Sequence, residues 1–195
     1  MRKVVANISL SLDGVMQAPG RPDEDTRGGF PHGGWAAPYA DEVQGREMGK
    51  GMASTGAILL GRRTYEDFYA YWPKQEGRIT DVLNATPKYV ASTTLREPLP
   101  WQNSILLPGD AATAVAKLKD EPGGDIVVLG SGNLLRTLIR EHLVDQYVLL
   151  VHPIVLGTGT RLFDDTMYDE LRLTGSVPTT TGVVINTYVP AGATA

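Results

Sequence analysis

Apolar residues fall into short runs punctuated by glycine, proline and serine, and the runs alternate in period between strand and helix. Val4 to Leu12 carries Val4, Val5, Ile8, Leu10 and Leu12 and predicts a strand. Ala57 to Leu60 is a short buried strand stopped by Gly61, and a helical pattern opens at Thr64 and runs to about Tyr71, before Pro73. Ile79 to Leu83 predicts a short helical turn, and Lys88 to Ser92 and Ser104 to Leu107 two further strands. Asp110 caps a predicted helix to about Lys119; Asp125 to Leu129 is the strongest buried strand, and a helix follows from Asn133 to about His142. Val144 to Val151 is another strand, and Leu171 to Val177 and Val183 to Val189 are two closing strands joined by a turn. Tyr39 to about Thr55 reads as a helix weakened by Gly45, Gly49, Gly51 and Gly56, each costing about 1 kcal/mol against alanine if inside the helix.

Strands alternating with helices predict an α/β domain with a mainly parallel central sheet. The last two strands have no helix between them and predict an antiparallel hairpin at one edge. No linker or repeat divides the chain, so residues 1–195 are expected as one domain. Residues 17–38 form a long Gly- and Pro-rich loop, and loops of that length are usually functional or disordered. Phe30 and Trp35 predict that it docks on apolar surface.

Composition narrows the function. Net charge −4 gives no overall basic footprint for nucleic acid. The absence of cysteine excludes disulfides and thiolate chemistry. His32, His142 and His152 show no metal-ligand spacing, so no metal is expected. No run approaches the about 20 apolar residues of a membrane helix, and a cytoplasmic protein is the expectation.

Three candidate sites sit at carboxyl ends of strands, where open α/β sheets bind ligands. Gly61-Arg62-Arg63-Thr64 joins a strand to a helix start, and Thr64 with Asp67 resembles a capping box. A helix start favours anions, and guanidiniums add forked donors suited to phosphate. Ser92-Thr93-Thr94 offers hydroxyls to phosphate or ribose. Gly130-Ser131-Gly132-Asn133 is a partial diphosphate turn, with Leu135 in place of a third glycine. Singly, each also reads as an ordinary strand–helix junction. Together they suit a ribose carrying a 2′-phosphate, hence NADP over NAD.

The same residues carry a family resemblance. Ser9-Leu10-Ser11-Leu12-Asp13-Gly14, Gly61-Arg62-Arg63-Thr64-Tyr65-Glu66, Val90 to Thr94, Val128 to Asn133, Leu143 to Gln146 and Leu156 to Phe163 occur in the order of the dihydrofolate reductase-like superfamily. They most resemble the reductase domain at the carboxyl end of the bacterial riboflavin-biosynthesis deaminase–reductase, the RibD C-terminal family. The resemblance implies a three-layer α/β/α fold, a homodimer and NADPH. It implies reduction of 5-amino-6-(5-phosphoribosylamino)uracil, with hydride going to a C=N carbon. A dihydrofolate or pterin reductase, and a non-catalytic NADP-binding protein, are the alternatives.

By position, the resemblance implies that Gly61, Arg62, Arg63 and Thr64 hold the diphosphate and the 2′-phosphate side. Ser92 and Thr93 would hold the adenosine ribose phosphate. Leu129, Gly130, Ser131, Gly132, Asn133 and Leu134 would cradle the diphosphate and pack near the nicotinamide. Ser9, Val15 and Met16 would line the nicotinamide end, with the 17–38 loop closing over it. Dihydrofolate reductases join two glycines by a cis peptide at the diphosphate turn; here the pair is Gly130-Ser131. They also keep a carboxylate shortly after a tryptophan, and Trp35 to Asp41 has a similar arrangement. Asp41 is therefore the catalytic candidate for substrate anchoring or proton supply, with Glu42 second. Both acids would equally complement a helix N-terminus.

Overall fold

The computed structural model describes residues 1–192; the last three residues of the expected domain lie outside the described residues. The strands are β1 (Val4–Ser11), β2 (Thr55–Gly61), β3 (Lys88–Ala91), β4 (Ser104–Leu107), β5 (Asp125–Leu129), β6 (Gln146–His152), β7 (Leu171–Pro178) and β8 (Val184–Pro190). The helices are α1 (Glu42–Ser54), α2 (Arg62–Tyr71), α3 (Arg78–Ala85), α4 (Ala111–Asp120) and α5 (Gly132–Arg140). The fold is the expected three-layer α/β arrangement, with mostly parallel strands and an antiparallel carboxyl-terminal group. The chain forms two compact units, one of Met1–Val5 with Ser54–Val144 and the other of Ala6–Ala53 with the chain from Asp145 onward.

In the first unit the strand order is β4-β3-β2-β5, all parallel where they pair. Ala57 to Leu60 are all buried, as expected for a parallel strand covered on both faces. Ile58, Leu60, Tyr65, Leu83, Val90 and Trp101 form a core cluster. Truncating Leu60 to alanine there would cost about 2–5 kcal/mol. Gly56 permits the close pairing of β2 and β5, since a Cβ on it would stand 2.6 Å from the Gly124 nitrogen. The Tyr65 hydroxyl accepts from the Trp101 backbone N–H at 3.0 Å and ties α2 to the loop before β4. Lys88 is wholly buried, and its ammonium donates to the Leu83 and Thr86 carbonyls at 2.7 and 2.9 Å, closing the carboxyl end of α3.

In the second unit β8 pairs antiparallel with both β6 and β7. The expected hairpin is present with β7 outermost, and β8 has a second partner that the sequence pattern did not reveal. Val15, Ala18, Phe30 and Trp35 form a buried cluster, so the 17–38 loop does dock on apolar surface. His152 is wholly buried, its Nδ1 donates to the Leu150 carbonyl at 2.9 Å, and its ring meets Trp35 edge-on at 5.1 Å. Burial holds its pKa below the usual histidine value.

Helix starts differ from the sequence reading where side chains had to be assigned as caps. α2 begins at Arg62, capped by Gly61 in extended conformation, so Thr64 is already helical and the Thr64–Asp67 capping box does not form. The strand passes into the helix with no intervening loop, leaving no position for a capping side chain. α1 begins at Glu42 after a 3₁₀ turn over Ala37–Tyr39, and the Asp41 carboxylate accepts from the Gln44 N–H at 2.8 Å. α4 is capped by Asp110 as expected, through the Thr113 N–H.

Candidate functional site

Two helix starts in the first unit meet. α2 leaves β2 at Gly61 and α5 leaves β5 at Ser131, and the Ser131 Oγ accepts from the Gly61 N–H at 2.8 Å. Neither helix has a side-chain hydrogen bond at its N-cap, in contrast to α4. The first-turn N–H groups of an α-helix have no partner inside the helix. Two adjacent, uncapped starts therefore present a concentration of donors and two positive dipole ends. Gly130 and Ser131 both lie in the left-handed region, at φ of 61° each. A Cβ on Gly130 would come within 3.3 Å of the Thr64 methyl, so the position also needs glycine for space. Ser131, by contrast, is strained by about 1–2 kcal/mol in that region, and its bond to the Gly61 N–H offsets part of that cost. The only cis peptide among the described residues is Glu97–Pro98, so Gly130–Ser131 is trans and the turn differs from the dihydrofolate reductase pattern.

Arg62 and Arg63 occupy the first turn of α2, where the helix dipole disfavours cations and no acidic residue is present. Proteins break such local rules mainly at functional or strained sites. Arg62 Nη1 lies 3.2 Å from Glu66 Oε2, and Arg63 is exposed with no hydrogen bond or ion pair among the described residues. The register pairs Gly61 with Ala91, so Arg62 and Ser92 leave neighbouring strands at the same level. The Ser92 Oγ accepts from the Thr94 and Leu95 N–H groups at 3.1 and 3.0 Å, which shapes its own turn and leaves Thr93 exposed. Leu134 is buried on the inner face of α5, and Leu129 packs against the core cluster. Asn133 is exposed, and its carbonyl groups accept from Arg136 and Thr137 on the next turn.

The second unit holds the other sequence-derived candidates. Ser9 is half-buried in β1, Met16 is buried, and Val15 is wholly buried in the loop cluster. Asp41 accepts from the Gln44 N–H through one carboxylate oxygen and from the Thr180 N–H and hydroxyl, at 2.6 and 2.7 Å, through the other. These bonds, the Gln44 N–H first, hold its pKa below the usual carboxylate value, so it is ionised at neutral pH.

Two residues without a role in the sequence reading organise this unit. The Asp13 carboxylate accepts from the Ser11 hydroxyl at 2.7 Å and from the Leu156 and Gly157 N–H groups at 3.1 and 2.9 Å. The Ser11 bond is the main cause that lowers its pKa to about 2. The Gln17 amide donates to the Asp25 and Arg27 carbonyls, and its oxygen accepts from the Thr160 N–H at 2.9 Å. Ser11-x-Asp13-Gly14 carries a turn signal that could have flagged Asp13; nothing local flags Gln17.

Among the described residues no cluster of His, Asp or Glu could hold a metal ion, and no helix is long and apolar enough to cross a membrane. The family model described as RibD C-terminal domain matches residues 2–185. The chain belongs to the RibD C-terminal domain family. This RibD C-terminal domain protein also has the dihydrofolate reductase-like fold. YyaP, an uncharacterized protein of Bacillus subtilis strain 168, is 36% identical over 113 residues, covering 55% of this chain and 59% of YyaP. That match spans less than two thirds of the relative's length. A pyrimidine reductase-like protein of Corynebacterium diphtheriae shares the fold at a TM-score of 0.67 and 15% identity, covering 98% of this chain and 93% of that one. Dihydrofolate reductase from Enterococcus faecalis, complexed with NADP(H), does so at a TM-score of 0.61 and 13% identity, covering 97% and 96%. At these identities the likeness is one of fold.

Proposed function

We propose that this chain, as one domain over residues 1–195, is an NADPH-dependent reductase that delivers hydride to the carbon of a C=N bond. The observation that carries the reading is the pair of uncapped helix starts joined by Ser131 and Gly61. The donor set fits a diphosphate: free N–H groups at both starts, a glycine-requiring turn at Gly130, and arginines where a dinucleotide's phosphates bring negative charge. Gly61, Thr64, Gly130, Ser131, Gly132 and Asn133 hold the diphosphate, with Leu129 and Leu134 as its apolar floor. Arg62, Arg63, Ser92 and Thr93 take the 2′-phosphate side. Ser9, Val15 and Met16 belong to the nicotinamide end. NADPH supplies the hydride when bound.

Hydride addition to the imine carbon leaves an electron pair on nitrogen, which a proton must fill. Asp41, ionised at neutral pH, holds no proton to give, so in this reading solvent water supplies that proton and Asp41 anchors the substrate. The substrate is a phosphoribosylamino-pyrimidine, 5-amino-6-(5-phosphoribosylamino)uracil, with a pterin as the second choice. Family membership and the fold shared with a pyrimidine reductase-like protein support the first. The protein is proposed to act in the cytoplasm as a homodimer.

A second reading, NADP binding without turnover, is favoured by one observation: the first-choice acid, Asp41, is taken up by backbone and hydroxyl donors. NADPH oxidation followed with a panel of flavin precursors and pterins separates the two. Turnover on the pyrimidine is expected. Tight NADPH binding with no turnover on any compound supports the second reading.

A further inference from the structure

The two arginines at the start of α2 are not equivalent. Arg63 is exposed and free among the described residues, whereas Arg62 Nη1 is held between both Glu66 oxygens, at 3.2 and 3.4 Å, one helical turn on. Both partners are substantially open to solvent, with side chains 40% and 47% exposed. Such a pair contributes little to stability. Its order is also the weaker one on a helix, because an acid is better placed amino-terminal to the base. In α2 the cation occupies the positive end, so its charge opposes the dipole, while the acid lies mid-helix where the dipole gives it nothing. The pair is therefore poorly explained as support for the helix.

We infer that Glu66 is an internal competitor for the cofactor's 2′-phosphate, and so a determinant of the preference for NADPH over NADH. The inference rests on the reading of this site given above. A phosphate reaching Arg62 displaces the Glu66 carboxylate from the same guanidinium donors. A ribose bearing only a 2′-hydroxyl carries no charge to make that exchange. Glu66 thus lowers affinity for NADPH and leaves NADH unaffected, while Arg63 supplies attraction that no side chain contests.

Calorimetric titration of NADPH and NADH into the wild type, Glu66→Gln, Arg62→Ala and the double variant tests this, with thermal melting to verify folding. Glu66→Gln is expected to tighten NADPH about threefold, the scale of an exposed ion pair, with NADH unchanged. In the Arg62→Ala background the same substitution is expected to change neither. Unchanged NADPH affinity in Glu66→Gln overturns the inference, as does equal tightening of NADH or tightening that persists without Arg62. A wild type that binds neither cofactor overturns the reading of the site itself, and the competitor role with it.

Discussion

The Ser131 hydroxyl oxygen lies 2.8 Å from the Gly61 nitrogen, across 70 positions of sequence, and accepts its N–H. This bond sets the start of one helix against the start of another before any ligand arrives. Pre-assembled donors lose less ordering entropy on binding than donors that must be gathered.

Ser131→Ala should separate the two turns. It leaves the Gly61 N–H without its acceptor and keeps a Cβ in the left-handed region. A stability loss of about 1 kcal/mol in urea unfolding is expected, with weaker NADPH binding. Ser131→Gly removes the backbone strain as well as the acceptor, so it should recover stability without recovering affinity. Titration of both variants with NADPH checks the distinction.

Replacing Arg62 and Arg63 together by alanine should weaken NADPH by about tenfold or more and NADH much less, since charge-assisted bonds to phosphate are worth about 1.5–3 kcal/mol each. The NADPH deficit should shrink as salt is raised, because the lost attraction is between exposed charges. Equal weakening of both cofactors in a titration series would show that the pair does not read the 2′-phosphate.

Asp41→Asn tests anchoring separately from capping. Asparagine is as good a helix cap as aspartate, so α1 should keep its start. The lost charge should raise the substrate KM while the Kd for NADPH stays at the wild-type value. Steady-state kinetics at saturating NADPH, beside a direct NADPH titration, reads both.

Acid stability should report Asp13. Its folded pKa, about 2, lies below the ordinary aspartate value of about 3.9. The unfolded chain therefore binds the proton more readily. The contribution is fully present above about pH 4 and is lost as pH falls toward 2. Unfolding free energy measured over that range should fall with decreasing pH in the wild type. Asp13→Asn should start less stable and show a flatter profile.

Strand–helix alternation, the antiparallel ending and the glycine turns were legible because local period and local punctuation determine them. The helix from Asp110 was legible for the same reason: its cap lies three residues from its target. The Thr64–Asp67 box misled because its spacing is right while its place is wrong. Gly61 takes the cap position, since β2 runs straight into α2. Asp41 read as a chemical candidate from its place after Trp35, and its second partner, Thr180, lies 139 positions away where no local pattern reaches. The same distance hid the Ser131–Gly61 bond and the role of Gln17. What sequence periodicity cannot carry is which side chain completes another segment's hydrogen bonds.

Amide proton–nitrogen correlation spectra recorded during NADPH addition test the central claim most directly. The account predicts that the largest shifts fall on the backbone amides of Gly61, Arg62, Arg63, Gly132 and Asn133 together, at one common Kd. Saturable binding that leaves these amides unmoved, or that moves the α2 start without the α5 start, would contradict it.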